Sequence, residues 1–336
     1  MRVKLIYYYY YFFYKKLINL IYIYLYTKME ITDEQTITFL DIWNKPINDN
    51  YTKLLSNYNK IIFGKQFNQP VDFSKEQISI NIREIVFGSN FNKPVDDLPN
   101  SIKHLIFGQT FNQRIDKLPS GLLTLFLDQS FNKPIDNLPT SLIKLTLGYN
   151  FNKPIDNLPN GLEELNLGTT FNQPINNLPN SLKKLTLGLH FNQQIENLPE
   201  SLENLSLRRG FNNSLDNLPS NLKHLRLESY YPNNLSNLPE TLESILFDCS
   251  FDDCEEVPDS LTCIKTLDFN KLKLKKLDVL VTFVFTEMNV EEDDEEDFES
   301  TEIIKLIDQQ GLYIELTKEL IKNKYEIWKK KFGYYE

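Results

Sequence analysis

The chain has 336 residues, 24% charged and 41% hydrophobic, the balance of a folded protein with ample material for a core. Its formal net charge is −10 and it has no basic stripe of the sort a phosphate backbone attracts, which excludes nucleic acid as the expected partner. Alanine is absent while Asn, Ile, Lys, Leu, Phe and Tyr abound; AT-rich codons explain that bias, which reports the genome and not the fold.

Residues 1–28 are a Tyr-rich, low-complexity leader for which three readings stand open. As a membrane span it is interrupted, because Lys15 and Lys16 split the apolar run into two blocks of ten, short of the ~20 a span requires. As a secretory signal it lacks a cleavage site, since no Gly, Ala or Ser precedes Ser56. The third reading places the true start at Met29. Membrane association is expected only if the leader is native.

From Met29 the chain enters a repeat array almost at once. Ile37 and Phe39 take strand positions ahead of Trp43, and copies opening at Trp43 and Phe67 are each 24 residues long. From Phe91 to Phe251 the motif then recurs every 20 residues, with Tyr231 the one opening that is not Phe. Numbered from its Phe as 1, the unit reads F-N-x-P-I-D-N-L-P-x-S-L-x-x-L-x-L-G-x-x. A fixed period of this length is the mark of a solenoid. Leu182, Leu185 and Leu187 show the L-x-x-L-x-L ending, whose two-residue alternation predicts a strand with one face buried. Asn-Leu-Pro before it and Gly-x-x-Phe-Asn after it are turn chemistry. One such coil cannot shield its own apolar side chains, so the coils must stack, strand on strand and Phe on Phe. The four extra residues between Phe67 and Phe91 are expected to bulge on the return side. Gly at position 18 suggests a tight turn with positive φ, although Asp128, Arg208, Glu228 and Asp248 share that position.

The pattern decays toward the end. Pro232 follows Tyr231, the Leu-Pro pair becomes Val257-Pro258, and the strand is expected to restart at Ile264, Leu267 and Phe269. Leu272 to Phe285 should supply the last one or two coils, closing an array over 34–285. Residues 286–299, with the run EEDDEEDFE, form an acidic linker. Residues 300–336 are expected to be a helical cap, broken at Gln309-Gln310-Gly311, because Leu316, Leu320, Lys324 and Trp328 recur every four residues. A partner-docking helix is the sharper reading of the same stretch.

With FNQPI, FNKPI and LPxSLxxLxLG in view, the chain resembles the FNIP repeat family, leucine-rich-repeat-like arrays known from social amoebae and giant DNA viruses. The resemblance covers about residues 37–270. It implies an interaction scaffold; the cysteines, read as reduced, fit an intracellular, cytoplasmic one. Some members carry an F-box before the array, which implies substrate selection for ubiquitin ligation; here the Trp43 copy occupies the place an F-box would need.

Catalytic chemistry finds little footing. His104 and His224 share position 14 six coils apart, and His190 lies at position 20, so the three cannot converge on one metal. Cys249, Cys254 and Cys263 lack a fourth zinc ligand and are read as reduced structural thiols. The Asn column at position 2 (Asn68 to Asn212) is read as buried amides serving the turn and the next coil, and the Phe column as core. No metal or cofactor is expected.

Strand alternation singles out the remaining set. With 15 and 17 buried, positions 14 and 16 point to an open, concave face, where solenoids bind. There Ile62, Val86, Ile106 and Phe126 make an apolar row over four adjacent coils. Arg208, Arg209, His224 and Arg226 make a basic cluster over two. Both have plainer readings, as strand formers and as solvated surface. The expected architecture is therefore an α/β but β-dominated repeat solenoid, LRR-like, with a C-terminal helical cap. The expected function is non-catalytic binding of a protein partner by a monomer, with a ubiquitin-ligase adaptor as the alternative.

Overall fold

The L-x-x-L-x-L strands form where the period puts them and stack in chain order. The computed structural model describes residues 29–33, 35–46, 55, 57–71, 81–227, 237–247, 263–266, 280–282, 304–307 and 313–316. The readings of the leader 1–28, of the acidic linker, of Cys249 and Cys254, and of residues 317–336 lie outside them. The chain divides into two compact units, Met1–Leu202 and Glu203–Glu336.

In the first unit a parallel sheet runs through β2 (Thr36–Phe39), β3 (Lys60–Ile62), β4 (Glu84–Val86), β5 (His104–Phe107), β6 (Thr124–Leu127), β7 (Lys144–Leu147), β8 (Glu164–Leu167) and β9 (Lys184–Leu187). The two 24-residue coils keep register, Thr36 pairing with Lys60 and Lys60 with Glu84. Their extra residues therefore leave the ladder undisturbed. One strand stands outside the repeat: β1 (Met29–Asp33) pairs antiparallel with β2, Met29 opposite Phe39, and carries an irregularity between Ile31 and Asp33. A charged strand with such a break is a poor template for further pairing, which protects this edge.

Each coil begins its strand in the same way. The amides of positions 13 and 14 both donate to one carbonyl of the coil before, as Lys103 and His104 do to Arg83. Two turns close the return: the Leu at 12 donates to the Pro at 9, and the Phe at 1 donates to position 18. The core is one residue type per position. Phe111, Phe131, Phe151, Phe171 and Phe191 stack at centroid spacings of 6.1–6.2 Å. A second aromatic column, Phe39, Phe63, Phe87 and Phe107 at position 17, stacks at 5.2 Å. The two columns touch, Phe107 and Phe111 lying 3.8 Å apart. From Leu127 to Leu227 position 17 is Leu and only one column continues; Phe returns there at Phe247.

Three polar ladders tie coil to coil on the return side. Oδ1 of each Asn at position 2 accepts the backbone N–H of the next, from Asn44–Asn68 through Asn172–Asn192, at 2.9–3.1 Å. These amides are mostly half-buried, not fully buried as the sequence suggests. The hydroxyl at position 11 donates to the carbonyl at 12 of the coil before: Ser141 to Leu122, Ser181 to Leu162, Ser201 to Leu182. Asn137, Asn157 and Asn177 donate to Asp116, Asp136 and Asp156.

Glycine at position 18 has a different cause from the one expected. None of these glycines takes a positive φ; instead a Cβ on Gly188 would meet the Gly168 carbonyl oxygen at 1.8 Å. Close approach of stacked backbones, not left-handed geometry, favours glycine there.

In the second unit β10 (Asn204–Leu207), β11 (His224–Leu227), β12 (Ser244–Phe247), β13 (Cys263–Thr266) and β14 (Leu280–Thr282) continue the same parallel pairing. Ile264 pairs with Ile245, so it takes position 15 rather than 12. The expected restart at Leu267 and Phe269 is thus three residues late, because VPDSL keeps the usual spacing from Pro to Leu and carries the frame straight through. The stretch 300–336 also departs from expectation where it is described. Ile304–Ile307 (β15) and Tyr313–Leu316 (β16) form an antiparallel pair, not helix. IIKLI and LYIEL are rich in β-branched and aromatic residues, which suit strands.

Candidate functional site

The alternation of the strands decides which side chains the sheet offers. Along β6 the burial runs half-buried, buried, exposed, buried, and β3–β9 agree in sense, whereas in β2 Thr36 is itself buried. Positions 14 and 16 therefore form the open face. Register then places Ile62 beside Val86, Val86 beside Ile106, and Ile106 beside Phe126. The first three are half-buried; Phe126 is 40% exposed. Beyond Phe126 the row turns polar, with Thr146, Asn166 and Thr186.

Two further exposed apolar residues, which position counting missed, flank the next strand. Ile143 is 42% exposed and Tyr149 49% exposed, and they bracket β7, the strand paired with Phe126. They sit at positions 13 and 19, which vary freely from coil to coil and so carry no periodic signal. A groove of about 590 Å³ adjoins the other end of the row. Thr38, Ile42 and Ile62 line it, over a floor that includes Gly64, Gly88 and Gly108.

Position 14 is occupied internally. Lys60 pairs with Glu84 at 2.9 Å and Lys144 with Glu164 at 2.7 Å, while His104 Nδ1 lies 2.8 Å from Thr124 Oγ1. Such partly exposed pairs contribute at most about 1 kcal/mol each. They leave the row flanked by neutralised charge.

The basic cluster falls in the second unit. His224 and Arg226 lie exposed on the open face of β11, and His224 Nδ1 is 2.8 Å from Ser244 Oγ. Arg208 (half-buried) and Arg209 (exposed) follow the end of β10 in the turn, off the strand that carries the other two. Among the described residues no group of His, Cys, Asp and Glu is arranged to hold a metal ion. No helix among them is long and apolar enough to cross a membrane.

The FNIP Repeat family model matches residues 94–130, 131–170 and 171–210, each match covering about two coils. Residues 94–210 are FNIP repeats. Among solved structures this chain is similar to CroV588, a circular LRR protein of the giant virus CroV, at 31% identity and TM-score 0.54, over 76% of this chain and 51% of that one. The chain thus spans about half the length of that relative. YopM from Yersinia enterocolitica matches at 17% identity and TM-score 0.35, over 69% of this chain and 74% of that one. No curated protein matches. Family and fold agree on an LRR-like parallel solenoid with one strand per coil, a type that is typically non-catalytic and generally binds proteins.

Proposed function

We propose that the FNIP array is a non-catalytic scaffold that binds a protein partner across the open face of its first unit. The observation that carries this reading is the unbroken apolar row Ile62–Val86–Ile106–Phe126. A contiguous apolar strip on a face with few free charges marks a partner surface. The partner presents an apolar segment to it, and Phe126, aromatic and most exposed of the row, anchors the contact. Ring spacing supports a concave open face in this unit, since the column nearer the strands stacks at 5.2 Å and the outer one at 6.1 Å. The setting proposed is intracellular, with a monomer as the binding form. Arg226 and His224 offer a second, basic surface for an acidic partner, while a role in ubiquitin ligation has no support among the described residues.

Changing Phe126 and Ile106 together to Ser tests the reading by affinity capture from the native cell. Capture of the partner should be lost while the thermal melt barely moves. Normal capture by the double variant would refute the apolar row, and loss of partner only on changing Arg226 and Arg209 to Ala would move the site to the second unit.

A further inference from the structure

The turn that closes each return is chemically labile in one coil. The Leu162 amide donates to the Pro159 carbonyl at 3.0 Å, so Pro159-Asn160-Gly161-Leu162 is a hydrogen-bonded β-turn. Asn160 and Gly161 are its two central residues and both are exposed, whereas Leu162 behind them is buried. Among the described residues neither the Asn160 side chain nor the Gly161 N–H has a hydrogen-bond partner. Space is open there too, the nearest atom to a Cβ on Gly161 being the Thr140 carbonyl oxygen at 3.5 Å.

Asparagine is the more labile to its own backbone when glycine follows, because no Cβ then shields the next peptide nitrogen. Asn-Gly occurs once in the chain, at residues 160–161. The turn itself does not call for glycine. Ser101, Ser141, Ser181 and Ser201 hold the same position and close the same turn, and Gly161 takes no positive φ. Asn100-Ser101 and Asn180-Ser181 thus present the same exposed asparagine with a Cβ in the way. There the serine also ties the turn to the coil before, Ser101 Oγ donating to the Ile82 carbonyl at 2.7 Å and Ser181 Oγ to the Leu162 carbonyl at 2.6 Å. Gly161 cannot make that tie.

We propose that Asn160-Gly161 is a site of spontaneous deamidation and isomerisation in the folded array. The Gly161 nitrogen, its proton taken by hydroxide, attacks Asn160 Cγ. The N–Cγ bond forms and the Cγ–Nδ2 bond breaks, closing a succinimide ring. Nδ2 takes a proton from water, which restores the hydroxide, and leaves as ammonia. A second water then opens the ring. Breaking the N–Cγ bond gives aspartate; breaking the bond from nitrogen to the backbone carbonyl carbon gives isoaspartate, whose main chain runs through Cγ. The net change is one water in and one ammonia out. Either product adds a negative charge, and isoaspartate also lengthens the main chain in the turn that closes over Leu162. The site is at positions 10 and 11, outside the strands, so it stands apart from the partner reading on the open face.

Peptide mapping by mass spectrometry of the full 336-residue chain, held folded at neutral pH, tests it. Residue 160 should become two acidic products, aspartate and isoaspartate, at least about 10-fold faster than Asn100 or Asn180 is converted. Its rate should stay within about 10-fold of that in the free peptide of residues 151–170, since an exposed turn opens at little cost. Gly161→Ser, which copies the turn of Ser181, should slow the conversion at least about 10-fold. Equal rates at Asn100, Asn160 and Asn180 would overturn the proposal. So would a folded chain slower than the free peptide by more than that margin, or an unchanged rate in Gly161→Ser.

Discussion

Asn152 Oδ1 accepts the backbone N–H of Asn172 at 3.0 Å and the side-chain amide of Gln173 at 3.1 Å. One half-buried oxygen thus satisfies two donors of the next coil. Asn152→Leu strands both and should cost about 1–3 kcal/mol in urea unfolding. Asn152→Asp keeps the acceptor and should cost clearly less. Equal losses would mean that the ladder holds the coils by shape and not by hydrogen bonding.

Core and open face should respond oppositely to loss of an aromatic ring. Phe151 is 0% exposed and stacks on Phe131 and Phe171, so Phe151→Ala removes a buried ring and leaves a cavity. The expected loss is about 3–5 kcal/mol. Phe126→Ser changes a side chain that faces solvent and should cost under about 1 kcal/mol. Comparable melting losses for the two would contradict the assignment of position 16 to the open face.

The glycines at positions 11 and 18 make a second contrasting pair. At Gly161 the nearest atom to a built Cβ is the Thr140 carbonyl oxygen at 3.5 Å, an ordinary contact. Gly161→Ser should fill the gap in the hydroxyl ladder by donating to the Leu142 carbonyl, stabilising by about 0.5–1.5 kcal/mol. Gly188→Ala puts a methyl 1.8 Å from the Gly168 oxygen and must push two coils apart. Thermal melts of the two variants should move in opposite directions.

Acid should loosen the Asp–Asn ladder. Arg114 Nε donates to Asp116 Oδ2 at 2.5 Å, and this bond, opposed by burial and helped by Asn137, holds the Asp116 carboxyl below its usual 3.8. A carboxyl depressed by folding stabilises above its unfolded pKa and loses that contribution as pH falls through the folded one. Stability should therefore decline as pH drops below about 4. Asp116→Asn should decline less steeply over the same range, and an unchanged profile would show that the pair contributes nothing.

The array and its open face were legible because each coil votes for the same answer: Leu185 and Leu187 fix one strand, and ten similar triplets fix its neighbours. The site was legible only in part, since Phe126 is on a periodic position whereas Ile143 and Tyr149 are not. Two aromatic columns share the core, but Phe63, Phe87 and Phe107 occupy a slot that Leu fills elsewhere, so the second column hid within the strand pattern. Nothing periodic announces β1, whose place depends on the edge it covers. Ile304–Ile307 and Tyr313–Leu316 read as helix because Leu316 began a four-residue spacing, which outweighed the β-branched residues around it.

The coils of 24 and 20 residues share one register, and the backbone ladder and the Asn ladder repeat unchanged from one middle coil to the next. Excising residues 151–170 would join Asn150 to Phe171 and present Asn132 to Asn172 as Asn152 now is. Nothing in the chemistry of the array counts its members. Whole coils can be gained or lost in this way without altering the contacts that remain, so the number of coils evolves separately from the chemistry of each surface.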